Sequence, residues 1–193
     1  MKVLLIRHGK TKGNEEHRYI GRTDESLSAA GRAELFVRRG IWEQEQVSLV
    51  FASPMKRCIE SAGILFPNAV IRKERRLSEC DFGVFENKNY QELNGREDYQ
   101  AWIDSGGSMD FPGGEALADF KKRSIEGFWK CIRAAEKEKC ETAVFVVHGG
   151  TIMSVMEALA IPAADYYSWQ VKNAEGYLCR LTKERLELLR HIE

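Results

Sequence analysis

The chain has 193 residues, 44% of them hydrophobic, which is enough to bury one core of ordinary size. Lys and Arg together number 29, as do Asp and Glu, so the net charge does not indicate a nucleic acid or a membrane surface as a partner. The first 40 residues are less balanced, with nine Lys and Arg against five Asp and Glu. This local excess suits an anionic ligand, and a solvated basic face explains it equally well.

The chain passes from Met1-Lys2 straight into an apolar run, with no signal-peptide pattern before it. No apolar stretch approaches membrane-spanning length, and we therefore expect a cytoplasmic protein. The five cysteines are an odd number at scattered spacings, without a Cys-x-x-Cys pair. We expect all five to be reduced and none to ligate zinc.

Three apolar runs predict strands, over residues 3–7, 47–52 and 143–147, each covered on both faces as in a parallel sheet. Ser53-Pro54 predicts the start of a helix that carries Arg57. Another helix is expected over residues 115–138, where the apolar side chains form one stripe that packs on the core. The segment 177–190 predicts a hairpin around Lys183-Glu184 at the sheet edge.

Because strands and helices alternate, we expect an α/β three-layer sandwich: a mostly parallel central sheet with one antiparallel edge strand and helices on both faces. No repeat or linker divides the chain, which favours a single domain over residues 1–193. Residues 87–115 are less regular and contain two glycine-rich turns. There we expect a helical and loop excursion that covers the ligand crevice as a lid, and an ordinary surface insertion is the alternative.

Two of the predicted strands end on a histidine, in Arg7-His8-Gly9 and in His148-Gly149-Gly150. Because ligands bind at the carboxyl ends of parallel strands, both imidazoles are expected to face one crevice. Arg7 adds a planar cation suited to phosphate oxygens, and the Gly9 amide is expected to be free to donate to a ligand. A structural role for each histidine is the alternative, which the pairing of the two motifs weakens.

Five short motifs occur in order along the chain: Arg7-His8-Gly9-Lys10-Thr11 with Asn14, Ser53-Pro54-Met55-Lys56-Arg57, Leu77-Ser78-Glu79 with Phe82-Gly83, Pro112-Gly113-Gly114-Glu115, and His148-Gly149-Gly150. Together they resemble the histidine phosphatase (phosphoglycerate mutase-like) superfamily over nearly the whole chain. The resemblance is closest to its short phosphatase branch, in particular to the alpha-ribazole phosphatases of cobamide (cobalamin) synthesis. Two departures lie near the expected pocket: Lys10 replaces a usual Glu or Gln, and Phe85-Glu86-Asn87 replaces a usual Trp-Glu-Gly.

The resemblance implies a phosphoglycerate mutase-like fold and a metal-independent phosphatase that acts on a small-molecule phosphate monoester without a cofactor. Alpha-ribazole 5'-phosphate is the specific substrate that it suggests. A broad-specificity sugar or small-metabolite phosphatase is the alternative, and a phosphoglycerate mutase ranks lower because mutases are typically longer after the acid motif. The oligomeric state stays open, with a homodimer among the arrangements that the sequence allows.

Phosphoryl transfer needs a nucleophile in line with the leaving oxygen and positive charge around the other phosphate oxygens. We expect a neutral nitrogen of His8 to attack and to form a phosphohistidine. Arg7, Arg57 and a protonated His148 are expected to hold the oxygens, and this cluster can replace a metal ion.

An alkoxide leaves poorly, so a carboxylic acid must protonate it and then, once ionised, deprotonate the attacking water. Glu79 is the candidate, with Asp81 or Glu86 on the same loop as the fallback. Burial raises the pKa of such a carboxyl and nearby arginines lower it, so the sequence leaves the direction open. The further expected phosphate-binding groups are Asn14, the Gly21 amide and Gly149.

Two other classes of function compete with this interpretation. A metal-dependent hydrolase would use His8 and His148 as ligands, but two arginines would repel the cation and the sequence offers no acidic cluster to complete the shell. A catalytically inactive phosphate-binding or scaffold domain usually lacks a catalytic residue, and none is missing from these motifs.

Overall fold

The computed structural model describes residues 1–42 and 47–193. Its strands are β1 (Lys2–Arg7), β2 (Leu49–Ala52), β3 (Val70–Lys73), β4 (Thr142–Val147), β5 (Ala160–Ile161), β6 (Gly176–Thr182) and β7 (Arg185–Ile192). Its α-helices are α1 (Lys12–Glu15), α2 (Ala29–Trp42), α3 (Lys56–Leu65), α4 (Tyr90–Leu93), α5 (Glu97–Asp104), α6 (Leu117–Lys137) and α7 (Gly149–Leu159). None of these described helices is long and apolar enough to cross a membrane.

The strands form one sheet in the order β3-β2-β4-β1-β6-β7-β5. β6 runs antiparallel to its neighbours β1 and β7, and the other neighbouring pairs are parallel. Helices α2 and α3 contribute to the core on one face, and α6 and α7 to the core on the other. The predicted α/β fold class is therefore confirmed. The antiparallel strand itself lies inside the sheet, because β7 and the two-residue β5 extend the sheet beyond it.

The side chains of β1 alternate between the two cores. Leu4 and Ile6 pack on the side of α2 and α3, whereas Val3 and Leu5 pack on the side of α6 and α7. A strand covered on both faces has no face exposed to solvent, which explains why its sequence is a continuous apolar run. Burying each such side chain contributes about 1.5–3 kcal/mol, so the centre of the sheet is a rigid support for whatever follows its strands.

The predicted elements are found with shifted ends. β2 begins at Leu49 instead of residue 47, and α6 lies within the predicted 115–138. The predicted hairpin is present, and its turn residues Lys183 and Glu184 have positive φ angles of 48° and 62°. A two-residue type I′ turn requires positive φ at both positions. All five cysteines are free in the structure.

Residues 87–115 form α4, α5 and their loops. We call the rings of Tyr19, Phe82, Phe85, Tyr99, Trp102 and Phe111 the aromatic cluster, which joins this excursion to the rest of the fold. Phe85, which belongs to one of the two departures expected near the pocket, is fully buried inside this cluster. Ring packing therefore holds the excursion in place.

The close approach of β6 to β1 depends on Gly176. A Cβ atom there would lie 2.0 Å from the carbonyl oxygen of Leu5, so alanine has to push two paired strands apart. We expect Gly176→Ala to lower the free energy of unfolding, measured in urea, by about 1–3 kcal/mol.

The matched control is Gly63→Ala in α3, where an added Cβ meets nothing within 4 Å. Alanine costs less conformational entropy than glycine in a helix, so this variant should gain about 0.5–1 kcal/mol. Equal changes in the two variants would contradict the assigned strand contact.

Candidate active site

The residues that follow β1 and β4 lie side by side, because these two strands pair in parallel over their full length. His8 and His148 are both buried, and their ring centroids are 5.2 Å apart. The carboxyl ends of the two strands thus bring the two imidazoles together, as the sequence predicted.

The carbonyl group of Gly9 fixes the tautomer of His8. Nδ1 of His8 lies 2.7 Å from this oxygen, and a carbonyl can only accept, so Nδ1 carries the proton. The neutral ring then has its lone pair on Nε2, which is the atom that can act as a nucleophile. The Gly9 amide donates to Ser61 Oγ at 2.9 Å, so the expectation that it is free for a ligand is wrong.

The imidazole of His148 is held by polar groups from α3 and the residues before it. Its Nε2 lies 2.7 Å from Ser53 Oγ and 3.5 Å from Cys58 Sγ. Ser53-Pro54 does not open α3 as predicted, because the helix begins at Lys56. Burial raises the pKa of the Cys58 thiol to about 12, so the thiol stays protonated.

Arg57 lies in the first turn of α3 and is fully buried. Its Nη1 donates to the Thr23 carbonyl at 2.7 Å, and its Nη2 donates to the Gly21 carbonyl at 2.8 Å. Its Nε is buried and has no hydrogen-bond partner in the part of the chain that the structure describes. Backbone dipoles thus stabilise this cation and leave one donor unused.

Arg7, the last residue of β1, shows the same arrangement. Its Nη1 donates to the Val171 carbonyl at 2.7 Å, while its Nε is buried without a partner among residues 1–42 and 47–193. Gly149 begins the 11-residue helix α7 beside this guanidinium, where an added Cβ would be 3.6 Å from Arg7 Nε. The amino end of a helix is a favourable place for an anion.

Glu79 lies on the loop that precedes the short helical turn Gly83–Phe85, and it lines the same pocket as His8. The amides of Cys80 and Gly150 donate to its two oxygens at 3.0 and 3.1 Å. Burial raises the pKa of Glu79 in spite of these bonds and the arginine charges, which settles the direction that the sequence left open. Arg123 holds the loop by donating to the carbonyls of Ser78 and Glu79 at 2.7 and 2.9 Å.

Asn14 belongs to α1 and lines the pocket with its side chain partly committed. Its Oδ1 accepts from the Thr11 amide at 3.2 Å and from Asn173 Nδ2 at 3.1 Å. Because both bonds use the oxygen, the side-chain amide nitrogen of Asn14 is the group that can donate to a ligand. Asn173 also donates to the His8 carbonyl at 3.0 Å. Asn173 was missed at the sequence level, because no motif or periodicity marks the loop before β6.

The amide of Gly21 is engaged within the protein. It donates to Glu86 Oε1 at 2.9 Å, so in this structure it is not free for a phosphate as predicted. An added Cβ at Gly21 would lie 1.9 Å from the Cys80 carbonyl oxygen, so the small residue lets two loops meet. Gly21 reaches the site indirectly, through its carbonyl bond to Arg57.

Burial lowers the pKa of both His8 and His148 well below the usual value, and the charges of Arg57 and Arg7 lower it further. Both rings are therefore neutral at pH 7 in the protein alone. A neutral His8 matches the expected nucleophile. The expected protonated His148 needs an anion in the site to supply the countercharge.

The pocket that His8 lines has a volume of about 690 Å³. Many of its lining residues are aromatic, and we call these the aromatic wall: Tyr19, Phe82, Trp102, Phe111, Phe120, Tyr166 and Tyr167. Trp102 and Phe111 come from the excursion, and Tyr167 ties the excursion down by donating to the Gly107 carbonyl at 2.9 Å.

Charged residues also line the pocket, and we call three of them, Lys10, Glu34 and Arg38, the basic rim. Lys10 Nζ and Arg38 Nη2 lie 3.1 and 3.2 Å from the two oxygens of Glu34. Two cations share one carboxylate, so one positive charge remains beside the pocket.

The sequence profile of the "Histidine phosphatase superfamily (branch 1)" matches residues 3–193. Phosphoserine phosphatase 1 of Hydrogenobacter thermophilus is 26% identical over 195 residues, which cover 98% of this chain and 91% of that protein. Phosphoglycerate mutase-like protein 4 of Arabidopsis thaliana is 31% identical over 162 residues, or 80% and 69% of the two chains. The crystal structure of the alpha-ribazole phosphatase from Shigella flexneri superposes with a TM-score of 0.83 at 22% identity, over 100% and 96% of the chains, and shares the fold.

The match to the profile runs through all five motifs, and the chain belongs to the histidine phosphatase superfamily. The protein is accordingly an enzyme of the phosphatase class, as the sequence motifs predicted.

The two neutral histidines make the stability of the protein depend on pH. Each titrates near pH 6.5 in the unfolded chain, whereas the folded protein resists protonating it, so stability is lost as the pH falls below that value. We expect the free energy of unfolding to fall by about 1.4 kcal/mol per pH unit for each histidine below about pH 6.

Urea titrations of wild type and His148→Gln at several pH values measure this slope. His148→Gln should lose about half of the dependence. An unaltered slope in His148→Gln would show that this ring is charged in the folded state.

Proposed function

We propose that this protein is a metal-independent phosphomonoesterase that transfers the phosphoryl group of a small molecule to His8 and then to water. The observation that carries the proposal is the pair of buried Nε atoms of Arg7 and Arg57 without a partner in the described chain. An unpaired buried donor costs about 1–3 kcal/mol, and a phosphate dianion between the two guanidinium groups satisfies both.

In the first step, Nε2 of His8 attacks phosphorus while the bond from phosphorus to the leaving oxygen breaks. Arg7 and Arg57 balance the charge on the three other oxygens, and His148 takes up a proton as the dianion binds. Glu79 starts protonated and gives its proton to the leaving oxygen, so the product departs as an alcohol. The Nδ1–H bond of His8 to Gly9 supports this step, because it leaves the lone pair on Nε2.

In the second step, the Glu79 carboxylate removes a proton from water as the water oxygen attacks phosphorus and the phosphorus–nitrogen bond breaks. Inorganic phosphate leaves, His148 releases the proton that it took up when the substrate bound, His8 is neutral again and Glu79 is protonated again. The raised pKa of Glu79 supports both steps, since such a carboxyl holds its proton and is also basic enough to take one back.

Alpha-ribazole 5'-phosphate is the substrate that we propose. Its leaving group carries a benzimidazole ring, and the aromatic wall offers ring faces for stacking. Trp102 and Phe111, whose ring centroids are 5.3 Å apart, are central to this wall.

A phosphorylated amino acid is the second candidate, favoured by the basic rim. The remaining positive charge of Lys10 and Arg38 suits a substrate carboxylate. The relative from Hydrogenobacter thermophilus is named a phosphoserine phosphatase, which supports the same substrate class.

The covalent intermediate gives a direct test of the nucleophile. Rapid-quench labelling with a radioactive substrate should trap an acid-labile, base-stable phosphoenzyme in wild type and in His191→Ala, and none in His8→Ala. Turnover of p-nitrophenyl phosphate should be undiminished in excess EDTA, which separates the histidine mechanism from a metal-dependent one. Wild-type turnover in His8→Ala would remove His8 from the mechanism.

The role of Glu79 depends on the basicity of the leaving group. Glu79→Gln should slow phosphoryl transfer from an alkyl phosphate by about 10²–10⁴-fold, because the departing alkoxide has lost its proton donor. The first step with p-nitrophenyl phosphate should slow much less, since nitrophenolate leaves without a proton, and a burst of nitrophenolate should precede a stall. Uniform slowing of both substrates without a burst would leave Glu79 a ligand-positioning role only.

The aromatic wall and the basic rim should respond to different substrates. Trp102→Leu should lower kcat/KM for alpha-ribazole 5'-phosphate by about 2- to 12-fold, the worth of one ring contact, and spare phosphoserine. Lys10→Gln should lower kcat/KM for phosphoserine by about two- to fivefold and spare alpha-ribazole 5'-phosphate.

A panel with sugar phosphates and 3-phosphoglycerate ranks the substrate classes, and p-nitrophenyl phosphate serves as the common reference. Equal losses on every substrate would mean that a variant damages the fold and not the selectivity.

A further inference from the structure

Glu86 directly follows the short helical turn Gly83–Phe85, on the same stretch of chain as Glu79. We propose that Glu86 is a positioning residue: it holds the backbone of residues 20–23 so that the carbonyl groups of this loop keep Arg57 in place. The inference rests on the proposed role of Arg57 at the phosphoryl group, and it adds the residue that prepares Arg57 for that role.

Both carboxylate oxygens of Glu86 are used on donors of the protein. Oε1 accepts from the amides of Gly21 and Thr23, each at 2.9 Å, and from Thr23 Oγ1 at 2.7 Å. Oε2 accepts from the Phe82 amide at 3.3 Å. Hydrogen bonds to an ionised carboxylate are roughly twice as strong as neutral ones, so this side chain is a firm anchor for the loop.

Arg57 binds the carbonyl groups of the same two residues whose amides bind Glu86. Its guanidinium donates to the carbonyls of Thr23 and Gly21, the residues whose amides Glu86 accepts. The third carbonyl in reach is that of Ile20, 3.4 Å from Nη2.

The carbonyl of Ile20 and the amide of Gly21 belong to one peptide unit, and in a trans peptide these two groups point in opposite directions. The bond of Gly21 to Glu86 on one side therefore turns the Ile20 carbonyl toward Arg57 on the other side. A single layer of backbone separates the carboxylate from the guanidinium.

Glu86 also couples the cation to the loop of the proton donor. Gly21 backs onto the Cys80 carbonyl, next to Glu79, so closely that an added Cβ would be 1.9 Å away. The spacing between Arg57 and Glu79 is therefore set by the contact that Glu86 maintains between two loops. Both oxygens of Glu86 are used on donors of the protein, which fits a positioning role and not proton transfer.

A double-mutant cycle between Glu86 and Arg57 tests the proposal. The values of kcat and KM for p-nitrophenyl phosphate are measured in wild type, Glu86→Gln, Arg57→Ala and the double variant. Arg57→Ala should lower kcat by about 10²–10³-fold, as loss of a transition-state contact does, and Glu86→Gln should lower it by about 10- to 100-fold. In the Arg57→Ala background, Glu86→Gln should change kcat by less than about threefold, because no guanidinium remains to be positioned.

Arg22→Gln is the matched control. Arg22 joins the same two loops through an ion pair with Asp81 at 3.2 Å, and its side chain is 66% exposed. An exposed pair of this kind contributes little, so kcat should stay within about twofold of wild type. Should Glu86→Gln fail to fold, Glu86→Asp, which keeps the charge on a shorter side chain, takes its place in the cycle.

A Glu86→Gln loss of the same factor in both backgrounds overturns the proposal and assigns Glu86 a general structural role. Wild-type kcat in Arg57→Ala is a different failure, because it removes Arg57 from the proposed function and the positioning role with it. The expected result is a loss confined to the background that retains Arg57.

Discussion

The parallel pairing of β1 with β4 places two histidines next to each other at the carboxyl edge of the sheet. Both strands are apolar on both faces and buried, so the backbone at this edge has little freedom to shift. His8 directly follows β1, and His148 directly follows β4 and precedes α7. The ring separation of 5.2 Å is therefore set mainly by the register of the sheet, and the surrounding loops have a secondary influence on it.

The two arginines near these rings are held in the same way. Arg7 and Arg57 are held by backbone carbonyl groups, which orient a guanidinium without neutralising it as a carboxylate would. The site thus stays positive, keeps both imidazoles neutral and leaves donors for an incoming anion. The same surroundings raise the pKa of Glu79 through burial, so one enclosed space favours both a neutral nucleophile and a protonated acid.

The sequence was informative about which residues lie close together where each one stands next to a recognisable strand end or turn, as for His8, Arg57, Glu79 and His148. It was not informative where backbone groups meet across loops. The Gly21 amide looks equally available to phosphate and to Glu86 until both loops are in place. Phe85 shows the same limit for packing, because an apolar residue near a pocket has one sequence pattern whether it faces the ligand or the core.

His8 is a neutral imidazole with its lone pair on Nε2, and the His148 ring beside it becomes charged only when an anion binds. Long-range ¹H–¹⁵N NMR of protein labelled in its four histidines reads the tautomer and charge of each ring. At neutral pH without anion we expect His8 as the Nδ1–H tautomer and His148 uncharged, and added sulfate should leave His8 neutral and convert His148 to imidazolium. A His8 ring that is charged or protonated on Nε2 in the free enzyme would contradict the account.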